Sequence, residues 1–210
     1  MLWNPEDWDA VLARTEKLRS HGPAPLTALH EALEKVPDAE RKTVADLGCG
    51  SGALLPLLAD RFGHCVAIDY APQTLARARK SCSGGAVRFR RRDLRDLTPF
   101  RNSFHVAVAV ESIVGPRLED IDRMLEQVRR SLVEGGRFFA VFPAMQRQDP
   151  PRPMRLAGHD HRVEVLCFHE VELQYRLTRH GFQGIRLRRV RDEDAGLDKL
   201  LATSTARANN

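Results

Sequence analysis

Cysteine is scarce in this chain, and none of it is paired in a motif. Cys49, Cys65, Cys82 and Cys167 are scattered over 210 residues with no C-x-x-C spacing. That excludes a zinc ribbon and a disulfide framework, and it is the usage expected of reduced thiols in a cytoplasm. No uninterrupted apolar stretch approaches the roughly 20 residues that a bilayer span requires. The opening residues, MLWNPEDWDA, are acidic and aromatic and lack the basic start and apolar core of a secretory signal. Cytoplasmic localisation with no membrane partner is the expectation. No repeat and no second domain are visible.

What is present suits one soluble domain: 42% hydrophobic and 29% charged residues, enough length for a full core. The net charge of +5 admits a polyanionic partner. The preference for Arg over Lys favours the blander explanation, an arginine-rich source composition. Trp8, Val11, Leu12, Thr15 and Leu18 fall at helical spacing, and after SHGPAP a second stripe runs through Leu26, Leu29, Leu33 and Val36. Strand-like and helix-like segments then alternate. TVADL, HCVAID, AVRFRRRD, FHVAVAVES and RFFAVFPA read as five strands, and Leu118 to Leu132 as an amphipathic helix stopped by EGG. RVEVLCFH reads as a sixth strand and FQGIRLRRV as a seventh, with an irregular loop over 145–161 and a fraying tail that holds at most a short helix around GLDKLLA. Alternation of this kind implies a parallel sheet covered on both faces.

The first strand runs into D-L-G-C-G-S-G-A. Gly48, Gly50 and Gly52 let a ligand approach the backbone, and the same string satisfies the dinucleotide pattern G-x-G-x-x-[GA]. Asp46 separates the two readings. It stands at the carboxyl end of the strand, where a pyrophosphate at ~4 Å would be repelled by roughly 1 kcal/mol in water and ~4 at an effective dielectric of 20. A ligand bearing an ammonium or a sulfonium gains instead. Asp69 ends the second strand, where a carboxylate accepts from ribose hydroxyls, and Asp93 ends the third. Helix capping is the alternative role for any one of them; three on one edge point to a ligand.

VADLGCGSGALLPLLA, VAIDYAPQTLARAR, RFRRRDLRDL, SLVEGGRFF and HGFQGIRLRR together resemble the successive motifs of class I S-adenosylmethionine-dependent methyltransferases, over about residues 43–190. The resemblance implies a Rossmann-like, doubly wound α/β fold. Its sheet would have seven strands in the order 3-2-1-4-5-7-6, mostly parallel, with strand seven antiparallel. Residues 1–42 would be a helical cap or lid, 43–191 the cofactor-binding domain and 192–210 a polar tail. It implies that Asp46 and the turn Gly48, Cys49, Gly50 and Gly52 hold the methionine part of S-adenosylmethionine. Asp69 would bind the ribose, Tyr70 pack on ribose or adenine, and Asp93 with the Leu94 backbone hold the adenine. His105 stands where the family often has Asp, and reads as structural.

Methyl transfer depends mostly on positioning and water exclusion, with a base needed only for a protonated acceptor. Resemblance puts the turn after strand four beside the methyl, making Glu111 a candidate ammonium ligand or base and Ser112 its neighbour. N-P-P-Y and a paired second glutamate are missing, which argues against adenine-N6, glutamine and arginine methylation. His159, Asp160 and His161 form a GHDH loop; two His and one Asp without a further ligand are a weak metal signal, no metal is expected, and His159 is the other candidate base. Trp3 is the candidate lid residue. The strips RFRRR and RLRRVR (186–191) invite an RNA reading, but no aromatic is interleaved for stacking. The expectation is an enzyme that methylates an oxygen or nitrogen of a small molecule. An RNA or protein methyltransferase ranks second, a non-catalytic cofactor-binding scaffold or regulator third, and an NAD-dependent oxidoreductase last.

Overall fold

The computed structural model describes residues 9, 23–82, 85–115, 117–145, 153–155, 164–193 and 196–207. Helix α1 (Pro23–Glu34) opens with two prolines in its first turn, where their missing N–H groups cost nothing. It carries the second predicted stripe; the first lies outside the described residues, with Trp3 and Trp8. Five strands and three helices follow: β1 (Thr43–Leu47), α2 (Leu55–Arg61), β2 (His64–Asp69), α3 (Pro72–Ser81), β3 (Val87–Arg91), β4 (Phe104–Val110), α4 (Leu118–Ser131) and β5 (Leu132–Pro143). A short hairpin of β6 (Pro153–Arg155) and β7 (Glu164–Leu166) comes next, then α5 (Glu170–Arg179), β8 (Phe182–Asp192) and β9 (Leu197–Ala206). No helix among the described residues is long and apolar enough to cross a membrane.

Seven strands form one sheet in the order β3-β2-β1-β4-β5-β9-β8. β1 to β5 are parallel, and β9 lies antiparallel between β5 and β8. This is the expected Rossmann-like order, with the last strand inserted and reversed. Each face buries its own core. Leu29 and Leu33 of α1, with Leu55, Leu58, Leu75 and Phe139, fill one side. Ile121, Leu125 and Val128 of α4, with Leu173, Leu177 and Phe138, fill the other. His105 is structural, as expected: its Nδ1 accepts the Thr43 N–H at 3.2 Å, joining the N-terminal ends of β1 and β4.

Three assignments in the C-terminal third are corrected. RVEVLCFH is not a strand of the sheet. Val165, Leu166, Cys167 and Phe168 are all buried, and their backbone bonds go elsewhere: Leu166 N–H to Gly115 O, and Phe168 N–H to Pro143 O, both 3.0 Å. FQGIRLRRV is the sixth sheet strand and runs parallel to β1–β5, not antiparallel. The supposed polar tail over 192–210 contains β9, and GLDKLLA is strand, not helix. Leu200, Leu201 and Ala202 are buried in a central strand, so no polar–apolar alternation marks it. EGG lies within β5, where the register with β4 shifts between Phe104 and Val106.

Candidate active site

β1 and β2 end together, Leu47 opposite Ile68, and the glycine turn is laced onto the end of β2. The N–H groups of Gly48 and Cys49 both donate to Ile68 O, at 2.7 and 3.0 Å. Gly50 N–H donates to Asp69 Oδ2 at 2.9 Å, and Ala71 N–H to Asp69 Oδ1 at 2.9 Å. With a further backbone bond from Tyr70, three of the carboxylate's roughly four acceptor positions are used and one is left for a ligand. Gly48 has φ +73°, and a Cβ there would lie 2.3 Å from Ser112 Cβ. Only glycine lets the turn pass under the end of β4, where Ser112 Oγ donates to Leu47 O. Gly50, at φ +55°, faces open space. Gly52 touches α3 through Ala78.

Asp46 is 2% exposed, and its Oδ2 has no hydrogen-bond partner. Burial raises this carboxyl from its ordinary 3.8 to about 7, and the charge on Asp69 adds to the rise. Burial raises Asp69 as well, opposed by backbone hydrogen bonds from Ala71, Gly50 and Tyr70. A cation brought to this pair would relieve both, whereas a phosphate would worsen both. Burial, then the two carboxylates, push the Cys49 thiol far up, so Cys49 stays protonated and offers the site only its backbone. An orphan carboxylate oxygen, open space over Gly50 and the acceptor capacity left on Asp69 suit a ligand with an ammonium and hydroxyls.

Asp93 is less free than its place after β3 suggests. Arg95 clamps it: Nε lies 3.1 Å from both oxygens, Nη2 2.6 Å from Oδ2, and the Arg95 N–H 2.8 Å from Oδ1. Leu94 is buried beside it. Tyr70 is half-buried, and its carbonyl accepts from Arg91 Nε at 3.2 Å.

Glu111 follows β4 directly in the left-handed region, φ +47°, fixed by its N–H donating to Val141 O at 2.9 Å. Its carboxylate forms an ion pair with the ammonium of Lys199 on β9, both side chains nearly buried. Cys167 adjoins the pair; burial pushes its thiol up to about 11, with Lys199 lowering and Glu111 raising it. Lys199 was hidden from sequence reasoning inside the supposed tail. Asp9 was missed too. It is buried and caps α3: Oδ1 accepts the Thr74 N–H and hydroxyl at 2.8 and 2.9 Å, and Oδ2 the Gln73 N–H at 3.2 Å. α3 has Ala71 at its N-cap and no cap of its own. His159, Asp160 and His161 lie outside the described residues. Among the described residues no three His, Cys, Asp or Glu groups could hold a metal.

Residues 44–136 match the family model described as a methyltransferase domain. Trans-aconitate 2-methyltransferase of Streptomyces coelicolor is 36% identical over 100 residues, 44% of this chain and 31% of that protein; the chain thus spans about a third of the length of the curated relative it matches. A chain from the complex between the Haloferax volcanii Trm112 methyltransferase activator and a methyltransferase superposes with TM-score 0.76 at 20% identity, covering 98% of both chains. The 1,6-didemethyltoxoflavin-N1-methyltransferase of Burkholderia thailandensis, solved with 1,6-didemethyltoxoflavin and S-adenosylhomocysteine, gives TM-score 0.69 at 19% identity over 99% of this chain and 92% of that one. A Mesorhizobium loti S-adenosylmethionine-dependent methyltransferase gives 0.69 at 21% identity over 85% and 96%. At these identities the structures speak for the fold.

Proposed function

We propose that this chain, which belongs to the S-adenosylmethionine-dependent methyltransferases, transfers the methyl group of that cofactor to an oxygen or nitrogen of a small molecule. The observation that carries the reading is the unpartnered Oδ2 of buried Asp46 beside Asp69, a negative edge suited to a cationic donor and hostile to a phosphate. Asp46 and the turn from Gly48 to Gly52 would hold the amino-acid end, Cys49 through its backbone. Asp69 would take the ribose hydroxyls, with Tyr70 against the ring. Leu94 and Asp93 would receive the adenine, Asp93 by sharing lone pairs with Arg95. When bound, the cofactor supplies an electrophilic methyl group on a positive sulfur.

The remaining work falls to the chain: orienting the acceptor and excluding water. Glu111 stands at the end of β4 with Lys199 holding its carboxylate, so it is a fixed anion that can orient an acceptor or take its proton. His159 remains the alternative base. A small acceptor is supported by the S. coelicolor relative, named for trans-aconitate, and by the B. thailandensis protein, named for a ring nitrogen. The second reading, an RNA or protein acceptor, is favoured by the exposed arginines of β3.

Two measurements test the proposal. Calorimetry should show S-adenosylhomocysteine binding that weakens at least tenfold in Asp69→Ala. Methyl-labelled cofactor incubated with small carboxylic acids, N-heterocycles, a total RNA fraction and a protein extract should label only the small molecules. Label in RNA or protein favours the second reading. Uptake of a nicotinamide dinucleotide in place of S-adenosylhomocysteine overturns the first.

A further inference from the structure

Arginine strips stand at both rims of the sheet, and only one of them is neutralised. On β8, Arg188 pairs with Glu31 of α1 at 3.1 Å, Arg189 with Glu170 and Asp198 at 2.8 and 3.2 Å, and Arg191 with Asp198 at 3.2 Å. On β3, Arg88, Arg90 and Arg91 are exposed, as is Arg92 just beyond it. None of the four makes an ion pair among the described residues. Arg90 turns Nη1 back onto the carbonyl of Phe89 at 3.0 Å, and Arg91 reaches the carbonyl of Tyr70. Arg92 acts on Asp96 only as a lesser influence behind the Thr98 hydrogen bonds. The cause lies in the sequence: from Tyr70 to Arg92 there is not one Asp or Glu, while Arg79 and Lys80 add to the positive charge.

β3 is also an open rim. Among the described residues it pairs only with β2. Arg92 N–H donates to Asp69 O across that pair at 3.0 Å. By alternation the backbones of Arg88 and Arg90 face β2, and those of Val87, Phe89 and Arg91 face outward. Phe89 packs inward, under the guanidinium of Arg79 at 5.7 Å. The side chains of Arg88, Arg90 and Arg92 share the opposite face.

We propose that the rim of β3 binds an acidic, extended segment of a partner protein, added as an eighth strand. Main-chain donors and acceptors of Val87, Phe89 and Arg91 supply the pairing. Arginines at every second residue, ~6.6 Å apart, select Glu or Asp at alternate positions of the incoming strand. Charge on an edge strand normally blocks association, and here it blocks a neutral strand or a second copy of this rim; the same charge defines the segment that fits. A nucleic acid fits less well. Stacking needs a free aromatic face, Phe89 is covered by Arg79, and Tyr175, the one large exposed aromatic among the described residues, lies on α5. Phosphates would also leave the rim's carbonyls unused.

The test uses the full chain and a fluorescent decapeptide of alternating Glu and Val. Its controls are the same peptide N-methylated at alternate residues, and a 20-nucleotide oligouridylate. Anisotropy should show binding of the unmodified peptide, at least tenfold weaker for the N-methylated form and for Arg88→Glu/Arg90→Glu. Arg186→Glu, on the other rim, should leave it unchanged, and amide exchange at Phe89 and Arg91 should slow on peptide addition. Because the β3 side chains are exposed, the double variant should melt like the parent. Equal binding of the N-methylated peptide, preference for the oligouridylate, or no binding of any probe each overturns the proposal.

Discussion

Protonation of Asp46 should govern cofactor affinity. Its carboxyl sits at about 7 in the unliganded chain, because burial and the neighbouring Asp69 oppose its charge. At pH 6 only about a tenth of the molecules carry it ionised, and at pH 8 about nine tenths. A ligand ammonium that needs the carboxylate must first expel the proton. The Kd for S-adenosylhomocysteine should therefore be about tenfold higher at pH 6 than at pH 8, about 1.4 kcal/mol. Stability of the unliganded chain moves the opposite way. The folded state holds a proton that the unfolded chain, at the ordinary 3.8, has already lost, so this group's contribution to stability falls as pH rises from about 4 to about 7. Asp69, also raised, adds slope of the same sign, and Asp46→Asn separates the two. The assay is calorimetry from pH 6 to 8 in buffers of different ionisation enthalpy, which counts the released proton, beside urea melts of both proteins. In the Asn variant binding should be weaker at pH 8 and much of the proton release lost. A flat affinity profile in the parent, or an unchanged slope in Asp46→Asn, refutes the reasoning.

Gly48→Ala should destabilise by about 3 kcal/mol, combining left-handed strain with the collision on Ser112. Adding Ser112→Gly should restore only the collision part, as read by urea denaturation. Lys199→Met should cost about 3 kcal/mol by leaving Glu111 buried without its cation. Replacing both as Glu111→Gln/Lys199→Met should recover most of that, and a double variant no more stable than the single one would show that the pair is not coupled.

The parallel half of the fold is legible because β1, β2, β4 and β5 are largely apolar runs ending in turns, β3 alternates Arg with Val and Phe, and the first three strands each have an aspartate at or near their end. The C-terminal third is not. β9 is covered on both faces, so it has no period to read, and Asp198 and Lys199 make it look solvated although Arg189, Arg191 and Glu111 neutralise them. RVEVLCFH has strand composition, but its donors find partners at Gly115 and Pro143, which no local pattern reveals. At the site, Asp46, Asp69 and the glycine turn are local signals. Asp9 and Lys199 act on residues far along the chain and leave none. Arg95 could have been found: it follows Asp93 by two residues, within reach of its carboxylate.

The order of rungs in the sheet also imposes an order of events. β8 is synthesised before β9, yet among the described residues its one sheet neighbour is β9, which bridges it to β5. A growing chain must therefore hold an arginine-rich ribbon in waiting until Leu197–Ala206 has slid into the gap. That late insertion also delivers the ammonium that Glu111 meets. Closure of the sheet around β8 and neutralisation of Glu111 thus depend on the same strand, so a chain truncated before Leu197 would lose both.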